Sequence, residues 1–520
     1  MKLYLCQMNV VPGKPSTNFE TIRKNVAEAQ AAKADMVVFP AFSLSGVMAG
    51  DLFLQQDFRN KCVEFGEKVA KLSKDIDILF GNIDSECQNK NFFASKGKFS
   101  DKTLTEVTIG MDCSPFLVGK TEARMSALGI NARRTQKPIV FLNAVGTQNI
   151  GKRIFAFDGM SAVYNADGTT AYQFPAFESA SVLVNIQNGK ATVESNAFGF
   201  ADAQRFQLTG ISKIHAALVY MIRENLARMG IKRMVIGASG GIDSAVCAAL
   251  YTEAIGKENV FLINMPTRFN SDTTKNAARD LAENLGTPYM VAPISDILNS
   301  VCDSLGKCSF VRNDTPMKVE GINYENLQAR TRSASILATV ASVLGAGITC
   351  NGNKSEAMVG YCTLYGDTCG VMCALGDLWK TQVYALANDI NKNGEIIPKA
   401  SIEIPASAEL SEAMNVDEGK GDPIIYPYHD KLFAYWVERN KSLDDSILLL
   451  EKGAVNFCKE LGVNEEFFRK QFPTDKAALE DMRAWHRRYR GIALAKRLQF
   501  PPILTISSHP FGSESYEAQI

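Results

Sequence analysis

A short glycine turn is the stretch of this sequence best suited to hold a phosphate. The turn is Ser239-Gly-Gly-Ile-Asp-Ser244, and it follows the apolar run Met234–Ile236, which predicts a buried strand. A strand, a glycine turn and a helix start together present bare backbone N–H groups and a positive helix end to an anion. Gly240 and Gly241 allow a close backbone approach, and Asp243 adds a carboxylate that could hold Mg²⁺ against the phosphate.

A lone Gly-Gly pair would indicate only an ordinary turn between a strand and a helix. The complete string S-G-G-I-D-S, however, resembles the pyrophosphate-binding loop of the ATP pyrophosphatase (PP-loop) family. It matches neither the Walker A loop nor the dinucleotide-binding pattern G-x-G-x-x-G. The resemblance implies that ATP is split between its α- and β-phosphates so that a substrate becomes adenylated.

Length and composition predict a cytoplasmic protein of two or three domains. The 520 residues exceed one typical domain. Lys+Arg and Asp+Glu both number 56, so net charge gives no reason to expect a nucleic-acid or membrane partner. No stretch is long and apolar enough to span a bilayer, and polar residues come too early for a signal peptide. The twelve cysteines include no C-x-x-C pair, which favours reduced thiols without zinc.

The first half of the sequence alternates apolar runs with segments of helical period, which predicts an α/β domain over residues 1–200. The predicted strands lie at 2–10, 35–39, 76–83, 105–110, 138–143, 153–157, 161–165 and 181–185. The predicted helices lie at 18–32, 58–72 and 122–136.

Five short stretches of this half resemble the nitrilase (carbon–nitrogen hydrolase) superfamily. They are Q-M-N-V-V-P-G, V-V-F-P-A-F-S-L-S-G, S-P-F-L-V-G-K, N-A-V-G-T-Q and F-D-G-M-S. They are most similar to the glutaminase domain that is fused to glutamine-dependent NAD synthetases. The resemblance implies a four-layer α-β-β-α sandwich in which Cys is the nucleophile, Glu the base and Lys the oxyanion support.

The departures from that pattern predict an inactive glutaminase. Ala41 stands where the family has its glutamate, and alanine cannot accept a proton. The segment that should carry the lysine and cysteine lies between 91–98 and 114–116, where the chain is too short to hold it. Cys113 falls where the family has a small residue, and the alternative alignment puts Gly110 at the nucleophile position. No nucleophile–base–lysine set can be assembled.

The second half predicts a doubly wound parallel sheet of Rossmann-like type over residues 205–520, after a polar linker at 195–207. The predicted strands lie at 234–236, 260–266, 289–293 and 348–351. The predicted helices lie at 215–230, from 243, at 273–285, from 325, at 429–438 and at 443–460. Ligands of such sheets bind at the carboxyl ends of the strands.

Five motifs after the glycine turn resemble NAD synthetases over about residues 210–412. They are E-N-L-Q-A-R-T-R, G-N-K-S-E, G-Y-C-T-L-Y-G-D, D-L-W-K-T and P-A-S-A-E-L. Y-G-D together with N-K-S-E separates this set from GMP and asparagine synthetases. Taken singly, each motif would indicate only a helix start, a turn or a loop.

The resemblance implies a role for each matching residue. The residues that match the ATP site are Ser239, Gly240, Gly241, Asp243, Ser244, Asn351, Lys380 and Ser407. The residues that match the deamido-NAD site are Glu325, Asn326, Arg330, Asp367, Lys496 and Arg497. The carboxylates that match the Mg²⁺ ligands are Asp243 and Glu356.

Two further details of this half are open. Asn351 stands where the family usually has Thr, which predicts altered contacts rather than a dead site. The basic cluster 486–490 predicts a solvated helix face, with a role at the substrate phosphates as the alternative.

The expected reaction is the amidation of deamido-NAD⁺ to NAD⁺ through a nicotinate acyl-adenylate, with AMP and pyrophosphate as the other products. Ammonia, free or from a separate glutaminase, is the expected nitrogen source, and glutamine is doubtful. One alternative is a rearranged glutaminase site that uses Cys113, and another is a non-catalytic regulatory relative. The resemblance also implies a homo-oligomer, a dimer or larger.

Overall fold

The computed structural model describes residues 1–101, 104–196, 210–310 and 317–511. The chain forms two compact units, residues 1–224 and 225–520. Most of the predicted linker at 195–207 lies outside the described residues, so the domain limits stay a prediction. Within the described ranges, no helix combines the length and apolarity that crossing a membrane requires.

Two sheets and a hairpin form the first unit. The larger sheet contains, in spatial order, Lys190–Asn196, Ala180–Gln187, Lys2–Gln7, Met36–Val38, Asp77–Ile83, Asn89–Ser95 and Lys98–Phe99. The smaller sheet contains Thr170–Gln173, Ala162–Tyr164, Ile139–Leu142 and Thr108–Met111. The hairpin pairs Val145–Ile150 with Arg153–Asp158.

The strand Lys2–Gln7 shows how the layers of this unit are held together. Successive side chains of a strand point to opposite faces. Leu3 and Leu5 therefore pack against Val140 of the smaller sheet, whereas Tyr4 and Cys6 belong to the core under the helices. These helices are Pro15–Ala31 and Gln56–Leu72, and helix Lys120–Thr135 packs on the far side of the smaller sheet. The order helix, sheet, sheet, helix confirms the predicted α-β-β-α sandwich.

A parallel sheet forms the centre of the second unit. Its spatial order is Tyr289–Val291, Val260–Asn264, Met234–Gly237 and Gly347–Ile348. The first strand of this sheet in chain order, Met234–Gly237, thus has later strands on both sides. This arrangement confirms the predicted doubly wound sheet and creates a switch point, where ligands of such sheets bind.

Short helices connect and cover this sheet. They are Ile242–Ile255, Asp272–Leu285, Ser295–Gly306, Ile322–Arg330, the π-helical turn Thr331–Leu337, Ala338–Leu344, Lys354–Val359, Lys380–Ile390 and Lys399–Glu403. The C-terminal helices are Tyr426–Val437, Leu443–Glu451, Ala454–Leu461, Glu465–Gln471, Asp475–Arg490 and Ile492–Arg497, followed by strand Ile503–Thr505.

The predicted helix at 443–460 is wrong as a single element. Gly453 has a φ of 102° and separates Leu443–Glu451 from Ala454–Leu461. A residue with that backbone conformation cannot continue a right-handed helix. The break turns the second segment so that Phe457 and Leu461 reach an aromatic core around Tyr428 and Trp485.

Candidate active site

A cavity of about 590 Å³ lies at the carboxyl end of strand Met234–Gly237. Its wall includes the glycine turn and the start of the helix that follows, together with parts of the 322–337 helix. The segment 404–422 contributes a third side of the wall. The cavity therefore occupies the switch point that the strand order creates.

The glycine turn is held in a shape that requires glycine at position 240. Gly240 has a φ of 88°, and a Cβ there would lie 2.0 Å from the carbonyl oxygen of Thr274. The helix begins at Ile242, so its first N–H groups are not used within the helix. The hydroxyls of Ser239 and Ser244 lie 3.1 Å apart beside it. This combination of free N–H groups and hydroxyls suits a polyphosphate.

Lys380 brings two carboxylates together at the cavity wall. Its Nζ lies 2.5 Å from Asp243 Oδ2 and 3.3 Å from Glu356 Oε1. Asn353 donates from Nδ2 to Asp243 Oδ1 at 2.9 Å and also caps the helix that carries Glu356. Three separate segments thus fix the relative positions of one ammonium and two carboxylates.

Burial makes the two partners respond in opposite ways. Burial alone would lower the pKa of Lys380, but attraction to Asp243 and Glu356 outweighs it, so the pKa of Lys380 is raised. Burial raises the pKa of Glu356 to about 8, because Lys380 offsets only part of the burial and Asp243 adds repulsion. The site therefore keeps a permanent cation at Lys380, while the ionised form of Glu356 is disfavoured until further positive charge comes close.

The donor set of this site fits Mg²⁺ when substrate phosphates complete it. One carboxylate oxygen of Asp243 and one of Glu356 both contact the same atom, Lys380 Nζ. Mg²⁺ is bound by one or two carboxylates plus phosphates and water rather than by a full protein cage. The described residues contain no group of three or more His, Cys, Asp or Glu side chains able to hold a metal by themselves.

The cavity wall also carries four of the residues that matched the deamido-NAD site. Glu325, Asn326, Asp367 and Lys496 all line it. Thr363 donates its hydroxyl to Asn326 Oδ1 at 2.8 Å and its N–H to Asp367 Oδ1 at 2.6 Å. Asp367 lines the cavity, and desolvation by the protein around it raises the pKa of its carboxyl to about 6.

Two further predicted residues also line the cavity and are held by neighbouring loops. Asn351 Nδ2 donates to the carbonyl of Gly237 at 3.3 Å, and Thr349 donates to its Oδ1 at 2.7 Å. Ser407 donates its hydroxyl to the carbonyl of Met414 at 2.6 Å. Ser407 thereby closes a turn of the segment that covers this side of the cavity.

Two predicted residues are not brought to the cavity. Arg330 is exposed, and its Nε donates to the carbonyl of Leu364 at 3.1 Å. Arg497 is 2% exposed and donates to the carbonyls of Met358 and Tyr489. The guanidinium of Arg497 is enclosed in the C-terminal core, whereas its neighbour Lys496 lines the cavity. A contact between Arg497 and substrate stays a prediction.

Comparisons with known proteins agree with this geometry. The family model "NAD synthase" matches residues 214–472. A glutamine-dependent NAD(+) synthetase of Acinetobacter baylyi is 28% identical over 90% of this chain and 94% of that protein. The chain belongs to the NAD synthetase family.

Solved structures show the same two-unit fold among glutamine-dependent NAD synthetases. That from Cytophaga hutchinsonii has a TM-score of 0.75 at 16% identity and covers 98% of this chain and 95% of its own. The structure from Acinetobacter baumannii, in complex with ADP, has a TM-score of 0.66 at 24% identity. It covers 99% of this chain and 97% of its own. As a member of the NAD synthetase family, the chain is a ligase that forms a carbon–nitrogen bond.

Several residues of this NAD synthetase line the cavity although sequence reasoning missed them. Arg332 donates from Nε to the carbonyl of Met265 at 3.1 Å, and burial lowers its pKa to about 10. It lies in the π-helical turn 331–337, a feature often found at functional sites. Tyr361 and Asp422 also line the cavity. The sequence signal for Arg332 is the second arginine of A-R-T-R, whereas the resemblance to the family indicates the first, Arg330.

The synthetase's first unit encloses the residues that would have to act on glutamine. Ala41 is 5% exposed and lies in the apolar core. Cys113 is 6% exposed, and Gln148 donates from Nε2 to its Sγ at 3.7 Å. Gln148 in turn accepts from the N–H groups of Val47 and Met48 through Oε1. Burial raises the pKa of the Cys113 thiol to about 12.

Asp112, the carboxylate next to Cys113, accepts hydrogen bonds from the turn that follows it. Its Oδ1 accepts from the N–H of Cys113 and its Oδ2 from the hydroxyl of Ser114, both at 2.8 Å. It therefore holds the turn that leads out of strand Thr108–Met111. Cys113 lacks the exposed, electropositive surroundings that make a thiol reactive.

Proposed function

We propose that this NAD synthetase amidates deamido-NAD⁺ with ATP, Mg²⁺ and ammonia that its own first unit does not produce. The nicotinate carboxylate attacks the α-phosphorus of ATP, the bond to the β-phosphate oxygen breaks, and pyrophosphate leaves. Ammonia then attacks the carbonyl carbon of the acyl-adenylate, and the bond to the AMP phosphate oxygen breaks. Most of the catalysis required is alignment of two anions and stabilisation of developing charge.

Two groups of residues that line the cavity take different substrates in this proposal. In this proposal, the turn 239–244 and Lys380 hold the ATP phosphates, and Asn351 and Ser407 support the same half. Glu325, Asn326, Asp367 and Lys496 hold deamido-NAD⁺. Lys380 is a compact charge clamp for a polyphosphate.

Asp243 and Glu356 would hold Mg²⁺, which would neutralise charge on the phosphates and on the leaving pyrophosphate. The two carboxylates share the ammonium of Lys380. Phosphates arriving in the cavity offer that ammonium an alternative partner, and the carboxylates are then available to a metal.

The proposal about the nitrogen source is supported by the burial of Ala41 and Cys113 in the first unit. Its best nucleophile candidate is a buried thiol with a raised pKa, and alanine occupies the base position. The relatives that match along both units are named glutamine-dependent, so this chain differs from them in the proposal. A separate glutaminase or free ammonium would supply the nitrogen, and the proposal includes a homo-oligomer.

The test is NAD⁺ formation from ATP, Mg²⁺ and deamido-NAD⁺, with ammonium chloride in one reaction and ammonia-free glutamine in the other. We expect turnover with ammonium and only background turnover with glutamine. Equal turnover with both would overturn the assignment of an inactive first unit. Absence of pyrophosphate release in both reactions would overturn the synthetase assignment itself.

A further inference from the structure

The helix Tyr426–Val437 contacts both segments that carry the charged residues of the cavity wall. Glu356 lies in helix Lys354–Val359, and Lys380 is the first residue of helix Lys380–Ile390. Among the described residues that line the cavity, none belongs to Tyr426–Val437. This helix therefore reaches the site through the residues that it contacts.

Asp430, in that helix, joins the two segments with its two carboxylate oxygens. Its Oδ1 accepts from the hydroxyl of Ser355 at 2.5 Å, and its Oδ2 accepts from the N–H of Thr381 at 2.8 Å. Ser355 Oγ accepts in turn from the N–H of Lys380 at 2.9 Å. Both donors to Asp430 are chain neighbours of a charged residue of the cavity wall, so one carboxylate fixes the backbone beside each of the two.

These contacts satisfy the start of helix Lys380–Ile390 from outside. The first N–H groups of a helix have no partner within it. Asp430 accepts directly from that of Thr381. Through the hydroxyl of Ser355, it also fixes the acceptor of the Lys380 N–H. The ammonium of Lys380 thus projects from a helix start whose position depends on Asp430.

The carboxylate of Asp430 is deeply buried. Asp430 is 2% exposed, and Ser355 is 0% exposed. Burial raises the pKa of Asp430, and the hydrogen bonds from Ser355 and Thr381 oppose that rise. A buried carboxylate is costly unless its oxygens have donors. Loss of either donor should therefore disturb the arrangement.

An aromatic core fixes the helix that carries Asp430. Tyr428 and Phe433 of this helix are both fully buried. The ring centroid of Tyr428 lies 5.4 Å from that of Phe468 and 5.2 Å from that of Phe472. Close-packed interiors transmit strain because they have little free volume. The C-terminal core therefore gives Asp430 a firm base.

Glu438, which follows the helix, makes a more exposed contact with the same two segments. Its Oε1 accepts from Lys354 Nζ at 3.0 Å and from Trp379 Nε1 at 2.9 Å. Its side chain is 33% exposed, and Lys354 has a second carboxylate partner, Asp377, at 2.9 Å. This contact is partly screened by solvent and partly duplicated, so its loss should matter less than that of Asp430.

We propose that Asp430 is a positioning residue of this synthetase, which sets Lys380 and Glu356 at the spacing that ATP requires. The inference rests on the proposed function, in which Lys380 holds the ATP phosphates and Glu356 holds Mg²⁺. Asp430 itself touches no substrate. It acts through Ser355 and through the start of the Lys380 helix, which gives the C-terminal helices a role in adenylation.

The test is Asp430→Asn, whose amide keeps one oxygen for the Thr381 N–H and has no acceptor left for the Ser355 hydroxyl. ATP binding is measured by isothermal titration calorimetry, and adenylation as deamido-NAD-dependent exchange of labelled pyrophosphate into ATP. We expect the Kd for ATP to rise about tenfold and kcat/KM for ATP to fall about 10²-fold. KM for deamido-NAD should change less than about threefold, a separation that a role in folding alone would not produce.

Ser355→Ala removes the same contact from the other side, and it decides the matter if Asp430→Asn does not fold. It should weaken ATP binding and exchange to a similar extent. In the double variant, the loss should exceed that of the more affected single variant by less than about threefold, because the shared contact can be lost only once. Losses that multiply would overturn the route through Ser355.

Two controls accompany these variants. Asp444→Asn changes an exposed aspartate in the first turn of helix Leu443–Glu451 and should leave ATP binding and exchange unchanged. Glu438→Gln keeps an acceptor oxygen for its two donors and should change both by less than about threefold.

Unchanged ATP binding and exchange in Asp430→Asn and Ser355→Ala would overturn the inference and leave the proposed function intact. An equal rise of KM for both substrates would also overturn it, since that result would show a general loosening of the fold. A wild-type enzyme that catalyses no deamido-NAD-dependent exchange would instead refute the proposed function, and the positioning role with it.

Discussion

The surroundings of Lys380 and of Cys113 differ in what they offer a buried reactive group. Lys380 is enclosed with two carboxylates at 2.5 and 3.3 Å, and these partners keep it charged. Cys113 is enclosed with a neutral amide, and burial keeps its thiol protonated, with a pKa of about 12. Burial therefore preserves reactivity only where opposite charge is buried with the reactive group.

The same contrast appears in how the two sites are held. In the second unit, polar contacts from separate segments converge at the wall of a cavity, as those of Asn353 and Lys380 do on Asp243. In the first unit, Ala41 and Cys113 belong to a single apolar core. The first unit thus has the predicted α-β-β-α sandwich, and the two residues at its predicted reactive centre are packed within a core.

Thiol reactivity gives the largest expected contrast. With a pKa of about 12, about one Cys113 in 10⁴ is ionised at pH 8, whereas an unperturbed thiol is partly ionised there. We expect iodoacetamide to alkylate Cys113 about 10³-fold more slowly than the exposed Cys308, with a rate that rises about tenfold per pH unit. Peptide mass spectrometry measures both sites in one sample, and comparable rates would contradict the sealed-site interpretation.

Lys380→Met should cause the next largest loss. It removes the clamp for the polyphosphate and leaves Asp243 and Glu356 to repel each other. We expect deamido-NAD-dependent pyrophosphate exchange to fall by about 10²- to 10³-fold. Lys399→Met is the control, because Lys399 pairs with Glu403 on the surface at 3.4 Å. A similar loss in the control, or none in Lys380→Met, would remove Lys380 from the ATP site.

Gly240→Ala tests whether the turn geometry is required. Its φ of 88° and the 2.0 Å approach of the Thr274 carbonyl leave no room for a side chain. We expect the free energy of unfolding to fall by about 1–3 kcal/mol, with loss of ATP binding.

Gly241→Ala is the matched control for the fold, since Gly241 has a φ of −79° and a Cβ there would lie 3.3 Å from Ser239 Oγ. Its free energy of unfolding should lie within about 0.5 kcal/mol of the wild-type value. Its KM for ATP should rise about tenfold, because the added methyl group keeps the phosphate farther from the backbone. Equal destabilisation of the two variants in urea titrations would show that the turn geometry is not the cause.

The sequence predicted the elements of both units well where hydrophobic period and punctuation agreed. Helix Asp272–Leu285 was expected at 273–285, and Gly286 with its φ of 65° ends it as proposed. Strands were missed where polar residues dominate, as in Asn89–Ser95, whose first residues are exposed at the side of the sheet. Such strands owe their structure to pairing with Asp77–Ile83 rather than to their own pattern.

The site was predictable only as far as motifs reach. Asp243 precedes Lys380 by 137 residues and Glu356 precedes it by 24, and no periodicity places the three together. Only the resemblance of their motifs to a family predicted that they share a site. In the structure, Lys380 contacts both carboxylates. Arg497 and Lys496 show the limit, because adjacent residues of one motif point into the core and into the cavity respectively. Which of two neighbours faces a ligand depends on packing that sequence alone does not contain.

Ala41→Glu should have the smallest effect on activity, although it restores the residue that the family has there. The position is 5% exposed, and Gly81 packs so closely that a Cβ on Gly81 would lie 2.4 Å from the Cα of Ala41. A carboxylate buried there has no cationic partner in the described core around it, and burying it lowers the free energy of unfolding by about 1–3 kcal/mol. Glutamine hydrolysis should stay at background, because no activated nucleophile accompanies the new base.

Ala41→Gln is the control for this substitution, since it adds nearly the same volume without the charge. Ammonium-dependent NAD⁺ formation should be the same in both variants and in wild type at a temperature where all are folded. Release of ammonia from glutamine by Ala41→Glu alone would mean that Cys113 can still be activated. The first unit would then lack glutaminase activity because Ala41 replaces the base, and not because Cys113 is buried.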